Sequence, residues 1–298
     1  PQGERRLCCA SREKSSWIKQ YIDVENDNKS TEFVPSKLDE HWNSEYMKDI
    51  RKSLMAGEEI EQCQVCNHKL LNLHTYRGYF NHQLFPDKIE EAFEKTSDDG
   101  YTEMKPISYD YRISNLCNFK CRMCGDQLSS SWEAERRQMK NWTPEGDPWM
   151  TSENRTKLQN FTREVLEKEL WAAVHEERIE EIYWVGGEPL MFQIHWDIME
   201  HLVKTGQSKN VVVRYNTNLS RVSWKGINLY DLLKHFKHVN ISASIDGTGP
   251  IVEYVRHGIK WDKWLQNFKD GLFLKDMYGD AGIVLDVTIT SPGLFAMK

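Results

Sequence analysis

The chain has 298 residues, a formal charge of −6, and 28% charged against 39% hydrophobic residues. That length allows one large domain or two ordinary ones with a sizeable core, and the acidic balance excludes a global basic field for nucleic acid. No apolar run approaches the roughly 18 residues of a membrane span, and no secretory signal opens the chain.

The first residues, PQGERRLCCAS, begin on proline as though cut from something longer, so an upstream segment is expected. The seven cysteines are Cys8, Cys9, Cys63, Cys66, Cys117, Cys121 and Cys124. An odd count in a long, charged chain fits a disulfide framework poorly. Clustered thiols point instead to metal, in a reducing, cytoplasmic compartment.

From Ser36 to Met55, Leu38, Trp42, Tyr46, Ile50 and Leu54 recur every four residues, which predicts one helix ending near Gly57. QCQVCNHK follows, with Cys63 and Cys66 in C-x2-C spacing. With Cys8 and Cys9 they make residues 1–105 a small, cysteine-rich module. An iron–sulfur cluster and a structural zinc are both open here. The polar, turn-rich stretch TSDDGYTEMKP marks a boundary, with a second domain over 106–298. Trp17, Trp42, Trp171 and Trp196 read as core or interface packing.

Beyond the boundary, strand-like runs at 107–116, 180–186, 210–216, 238–246 and 282–290 alternate with helical runs at 161–177, 195–206, 229–236 and 263–277. Such alternation predicts parallel strands with crossover helices. Three strands carry one apolar and one polar face: Arg214, Asn216 and Asn218; Asn240, Ser242, Ser244 and Asp246; Asp286, Thr288 and Thr290. A polar face in a helix-covered sheet fits a barrel lumen that holds a polar ligand, with a half-exposed sheet as the plainer alternative. The insert 125–160 reads as a helix plus a lid or substrate loop.

Ligands bind at strand ends in such folds. LCNFKCRMCG, just after the first strand, sets Cys117, Cys121 and Cys124 in C-x3-C-x2-C spacing. Three thiolates on a tight loop suit three corners of a [4Fe–4S] cubane, leaving the fourth iron open; a zinc site completed by a distant histidine is the alternative. The second strand ends in WVGGEPL, where Gly186 and Gly187 allow close backbone approach and Glu188 suits an ammonium group.

These motifs, with SIDG at 244–247, resemble the radical S-adenosylmethionine (SAM) superfamily over about 107–290. The resemblance implies an α/β fold, a partial (β/α)6 barrel, in which a [4Fe–4S] cluster on Cys117, Cys121 and Cys124 cleaves SAM reductively. The resulting 5′-deoxyadenosyl radical abstracts hydrogen from substrate. It further implies Gly186, Gly187 and Glu188 at the methionine amino group, and Met123, where many members have an aromatic residue, against adenine. Ser244, Asp246, Asn216 and Asn218 would then face ribose or substrate, and Arg256 the SAM carboxylate. The family barrel has six strands and five are counted here, so the chain is truncated or its barrel closes less fully.

The N-terminal pattern resembles the twitch or SPASM-like auxiliary-cluster modules of this family. That implies a second iron–sulfur cluster on Cys63, Cys66 and one or both of Cys8 and Cys9, with zinc as the alternative. By the same analogy the substrate is a peptide or protein and the electron donor is a flavodoxin or ferredoxin; composition points to neither membrane nor nucleic acid as a partner. A small-molecule or nucleotide substrate is the second reading. A non-catalytic electron-transfer or zinc-binding protein is the third.

Overall fold

A computed structural model describes residues 3, 5–8, 11, 35–69 and 75–294; Cys9 and Trp17 lie outside the described residues. The chain divides into two compact units, one formed by Ile107–Thr143 with Glu167 onward, the other by Gly3–Pro106 with Pro144–Leu166.

The first unit is built on five parallel strands lying side by side in chain order: β1 Ser108–Tyr111, β2 Glu181–Trp184, β3 Val212–Thr217, β4 His238–Ser244 and β5 Ile283–Asp286. Every neighbouring pair is parallel, so a crossover segment separates each strand from the next. The register explains the period-two sequences. Tyr111, Trp184, Tyr215, Ile241 and Ile283 form one row across all five strands, and all are buried. The row beside it, Asp110, Tyr183, Arg214 and Asn240, is polar or amphipathic and mostly half-exposed. One face is therefore core and the other is accessible to a ligand.

The helix Gln193–Thr205 buries Ile194, His195, Trp196, Ile198, Met199 and Leu202 and ends at Gly206, whose φ of 80° closes it with a left-handed cap. The helical run at 263–277 is two helices, Trp261–Asp270 and Phe273–Tyr278. The last strand is shorter than the run 282–290. Pairing stops at Asp286, which leaves Val287 and Ile289 exposed. Among the described residues this sheet has five strands, with β1 and β5 at its two edges.

In the second unit the expected continuous helix over 36–55 is two helices, Leu38–Trp42 and Glu45–Met55. Ser44 interrupts it by capping the second helix, its side chain accepting a hydrogen bond from the Met47 N–H. Cys63 closes a 3-10 turn, Glu61–Cys63, and Cys66 lies in the helix Gln64–Lys69 that follows. The insert 125–160 divides between the two units. Its helix Ser130–Gln138 belongs to the first unit, while Trp149 and Met150 are buried in the second. Trp196 is fully buried, and Trp42 and Trp171 are half-buried.

Candidate active site

Because the strands are parallel, their carboxyl ends share one edge of the sheet. The loop of Cys117 follows β1, Gly186 follows β2, Asn218 follows β3 and Asp246 follows β4.

The cysteine loop is fastened by a run of side chains at the start of the helix Ser130–Gln138. Ser129 caps that helix, accepting from the Trp132 N–H, and donates to the Phe119 carbonyl at 2.6 Å. Ser130 Oγ accepts from the Cys117 N–H at 3.1 Å, Ser131 Oγ donates to the Cys117 carbonyl at 2.8 Å, and Trp132 Nε1 donates to the Cys121 carbonyl at 2.9 Å. Phe119, at 1% exposure, anchors the loop in the core. On the other side the short strand Lys120–Cys121 pairs antiparallel with Arg256–His257. The signal for this fastening in the sequence is three consecutive serines, Ser129 to Ser131, opening a helix just after the cysteines.

Cys117, Cys121 and Cys124 are free thiols. Burial pushes the Cys117 thiol up to about 12 and Cys121 up to about 11, and raises Cys124 as well. Such thiols give up their protons when a bound cation compensates the charge. Two of the sulfurs have N–H neighbours: the Phe119 N–H at 3.5 Å and Asn218 Nδ2 at 3.8 Å from Cys117, and Arg256 Nη1 at 4.0 Å from Cys121. Among the described residues no three His, Cys, Asp or Glu side chains converge on one metal ion. In a cubane each thiolate meets a different iron, so three thiolates on one short loop can supply three of its corners. The donor set therefore fits an iron–sulfur cluster.

Gly186 and Gly187 make a close approach, but to the chain itself. Gly187 has φ +55°, and a Cβ there would stand 2.5 Å from the Leu116 carbonyl oxygen; at Gly186 it would stand 2.9 Å from Arg112 Cβ. The Glu188 N–H donates to that same Leu116 oxygen at 2.7 Å, which docks the GGEP turn beside Cys117. The Glu188 side chain is buried, and its oxygens accept from Thr217 Oγ1 and the Asn218 N–H, both at 2.6 Å, and from the Leu190 N–H at 3.2 Å. Burial raises its pKa to about 7 against these donors. The carboxylate ties the end of β3 to the turn after β2.

Asp246 and Arg256 also face each other. Arg256 Nε lies 2.6 Å from Asp246 Oδ2, Nη2 donates to Oδ1 at 2.9 Å, and both residues are buried. The two side chains pair with each other. Asn216 and Ser244 lie on the accessible face. Tyr183 Oη donates to Asn216 Oδ1 at 2.7 Å, Asn216 Nδ2 donates to Asp286 Oδ2 at 2.9 Å, and Ser244 pairs in register with Asp286. Met123 is 40% exposed beside the last cysteine.

Cys8, Cys63 and Cys66 lie in the other unit, with Cys66 buried and the other two half-buried. No helix among the described residues is long and apolar enough to cross a membrane.

No curated protein and no solved structure matches the chain. The family model described as the Radical SAM superfamily matches residues 111–270, which takes in the cysteine loop, the GGEP turn and the Asp246–Arg256 pair. That span is more than half of the 298 residues, and it sets aside the non-catalytic reading. The chain belongs to the radical SAM superfamily, whose members are enzymes that bind SAM and a [4Fe–4S] cluster.

Proposed function

We propose that Cys117, Cys121 and Cys124 hold the [4Fe–4S] cluster of a radical SAM enzyme that abstracts hydrogen from a peptide or protein. When bound, the cluster and SAM supply one-electron cleavage of the sulfonium and the 5′-deoxyadenosyl radical. The single observation carrying this reading is three free thiols, one buried and two half-buried, on one loop fastened at the carboxyl ends of parallel strands.

The chain's own residues then divide the work. Ser129 to Trp132 hold the loop backbone, so the thiolates are placed before metal arrives. Glu188 fixes Thr217 and Asn218, and Asn218 turns its amide toward Cys117. The backbone of Gly186 and Gly187 lines the edge of the site, Met123 offers a thioether to adenine, and the face of Tyr183, Asn216, Ser244 and Asp286 orients polar groups. The electron donor is a flavodoxin or ferredoxin. The peptide assignment rests on the N-terminal resemblance, as does a second cluster, or a zinc, on Cys63, Cys66 and one or both of Cys8 and Cys9. Cys63 and Cys66 lie on consecutive short helical elements.

Anaerobic reconstitution tests the reading. Wild-type protein should take up iron and sulfide in a cubane ratio at these three cysteines. Protein that binds zinc there, and no sulfide, contradicts it.

A further inference from the structure

The Asp246–Arg256 pair sits behind Cys121 and has no part in the reading above. Both partners are buried, Asp246 at 0% and Arg256 at 9% exposure. Burying such a pair is a poor way to gain stability, because desolvation offsets the attraction. Its geometry suggests another use. Asp246 Oδ1 accepts from Arg256 Nη2 at 2.9 Å and from the Thr288 N–H at 2.9 Å, and Oδ2 ion-pairs with Nε at 2.6 Å. The third nitrogen, Nη1, is left pointing at Cys121 Sγ, 4.0 Å away. The backbone enforces that direction: Cys121 and Arg256 are register partners, and the Arg122 N–H donates to the Val255 carbonyl at 2.9 Å.

We infer that Arg256 is a positioning residue that sets the reduction potential of the cluster through an N–H···S contact to Cys121, with Asp246 balancing its charge. This rests on Cys121 being a cluster ligand. Hydrogen bonds to cluster sulfurs are among the terms that fix the potential. One electron from an external donor makes the ligand sulfurs more negative, with no bond made or broken. A donor already aimed at Cys121 then stabilises the reduced state more than the oxidised one. Asp246 limits this, because its charge cancels the guanidinium's at longer range.

The two partners must therefore act in opposite directions. Arg256→Gln should shift the reduction equilibrium toward the oxidised cluster by about tenfold, about 59 mV more negative for one electron. Asp246→Asn leaves the cation uncompensated and should move the potential the other way. The measurement is potentiometry of reconstituted protein with dithionite and mediator dyes, followed by electron paramagnetic resonance of the reduced cluster, without SAM. Omitting SAM removes any contribution from its carboxylate. Arg256→Lys, which keeps the charge but lacks the fork, should fall between wild type and Gln. Should Arg256→Gln assemble no cluster, Arg256→Lys and Asp246→Asn decide by the same opposite signs. Shifts of equal sign mark a merely structural role and overturn the inference, as do unchanged potentials. A wild-type chain that assembles no cluster overturns the ligand assignment as well, which separates the two failures.

Discussion

Replacing Glu188 separates a structural role from a direct ligand role. The carboxylate, 1% exposed, accepts hydrogen bonds from Thr217 Oγ1 and from the backbone N–H groups of Asn218 and Leu190. In Glu188→Ala the two N–H groups lose their acceptor. A buried donor left unsatisfied costs about 1–3 kcal/mol, so the two together cost about 2–6 kcal/mol. That is a large share of a total stability of about 5–15 kcal/mol. Glu188→Gln keeps one oxygen for the Asn218 N–H and can turn its amide toward the Thr217 hydroxyl, which leaves mainly the Leu190 N–H unpaired, a cost of about 1–3 kcal/mol. Urea unfolding of the metal-free protein reads both values as shifts in midpoint. Iron retention should follow the same order, because Asn218 places its amide 3.8 Å from Cys117 Sγ. An alanine variant as stable as wild type but weaker for SAM would refute the reasoning and restore Glu188 as an ammonium partner.

Ser129→Ala removes both a helix cap and the bond to the Phe119 carbonyl. It should destabilise by about 1–2 kcal/mol and release iron faster to a chelator, measured by absorbance. His195 is fully buried with Nε2 2.8 Å from Tyr215 Oη, and burial lowers its pKa from 6.5 to about 3. Between those values the unfolded chain binds a proton that the folded chain does not. Stability therefore falls as pH drops below about 6.5, by about 5 kcal/mol when pH 3 is reached, and above 6.5 this group contributes no slope. His195→Gln should flatten that slope in urea titrations at stepped pH; an unchanged slope contradicts the assignment. Replacing Cys63 and Cys66 together with alanine should lower iron and sulfide below the wild-type content and speed proteolysis within residues 1–105, while SAM cleavage persists. Unchanged metal content and protease resistance remove these cysteines as ligands.

What the sequence made legible follows from what local patterns encode. The five strands showed through because β-branched and aromatic residues alternate with polar ones on half-accessible strands, and Tyr215 beside Asn216 marks the two faces without any tertiary knowledge. The cysteine loop was legible because all three thiols fall within eight residues. The partners of the polar residues were not. Glu188 finds its acceptor role 29 and 30 residues away, at Thr217 and Asn218. Arg256 meets Cys121 from 135 positions away. Spacing shows these side chains only as polar and near strand ends; which residues they meet within the chain depends on the fold. The break at Ser44 was hidden for a different reason: the apolar repeat runs through it, and a single capping serine outweighs that repeat.

The central claim is that Cys117, Cys121 and Cys124 together support reductive SAM cleavage. Its most direct test is 5′-deoxyadenosine formation, quantified by chromatography after anaerobic reconstitution with iron and sulfide and addition of dithionite and SAM. Wild-type protein should release 5′-deoxyadenosine and methionine in equal amounts, and the triple alanine variant at these cysteines should release none. Cleavage that survives in the triple variant, or a cluster-loaded wild type that yields no 5′-deoxyadenosine, would contradict the account.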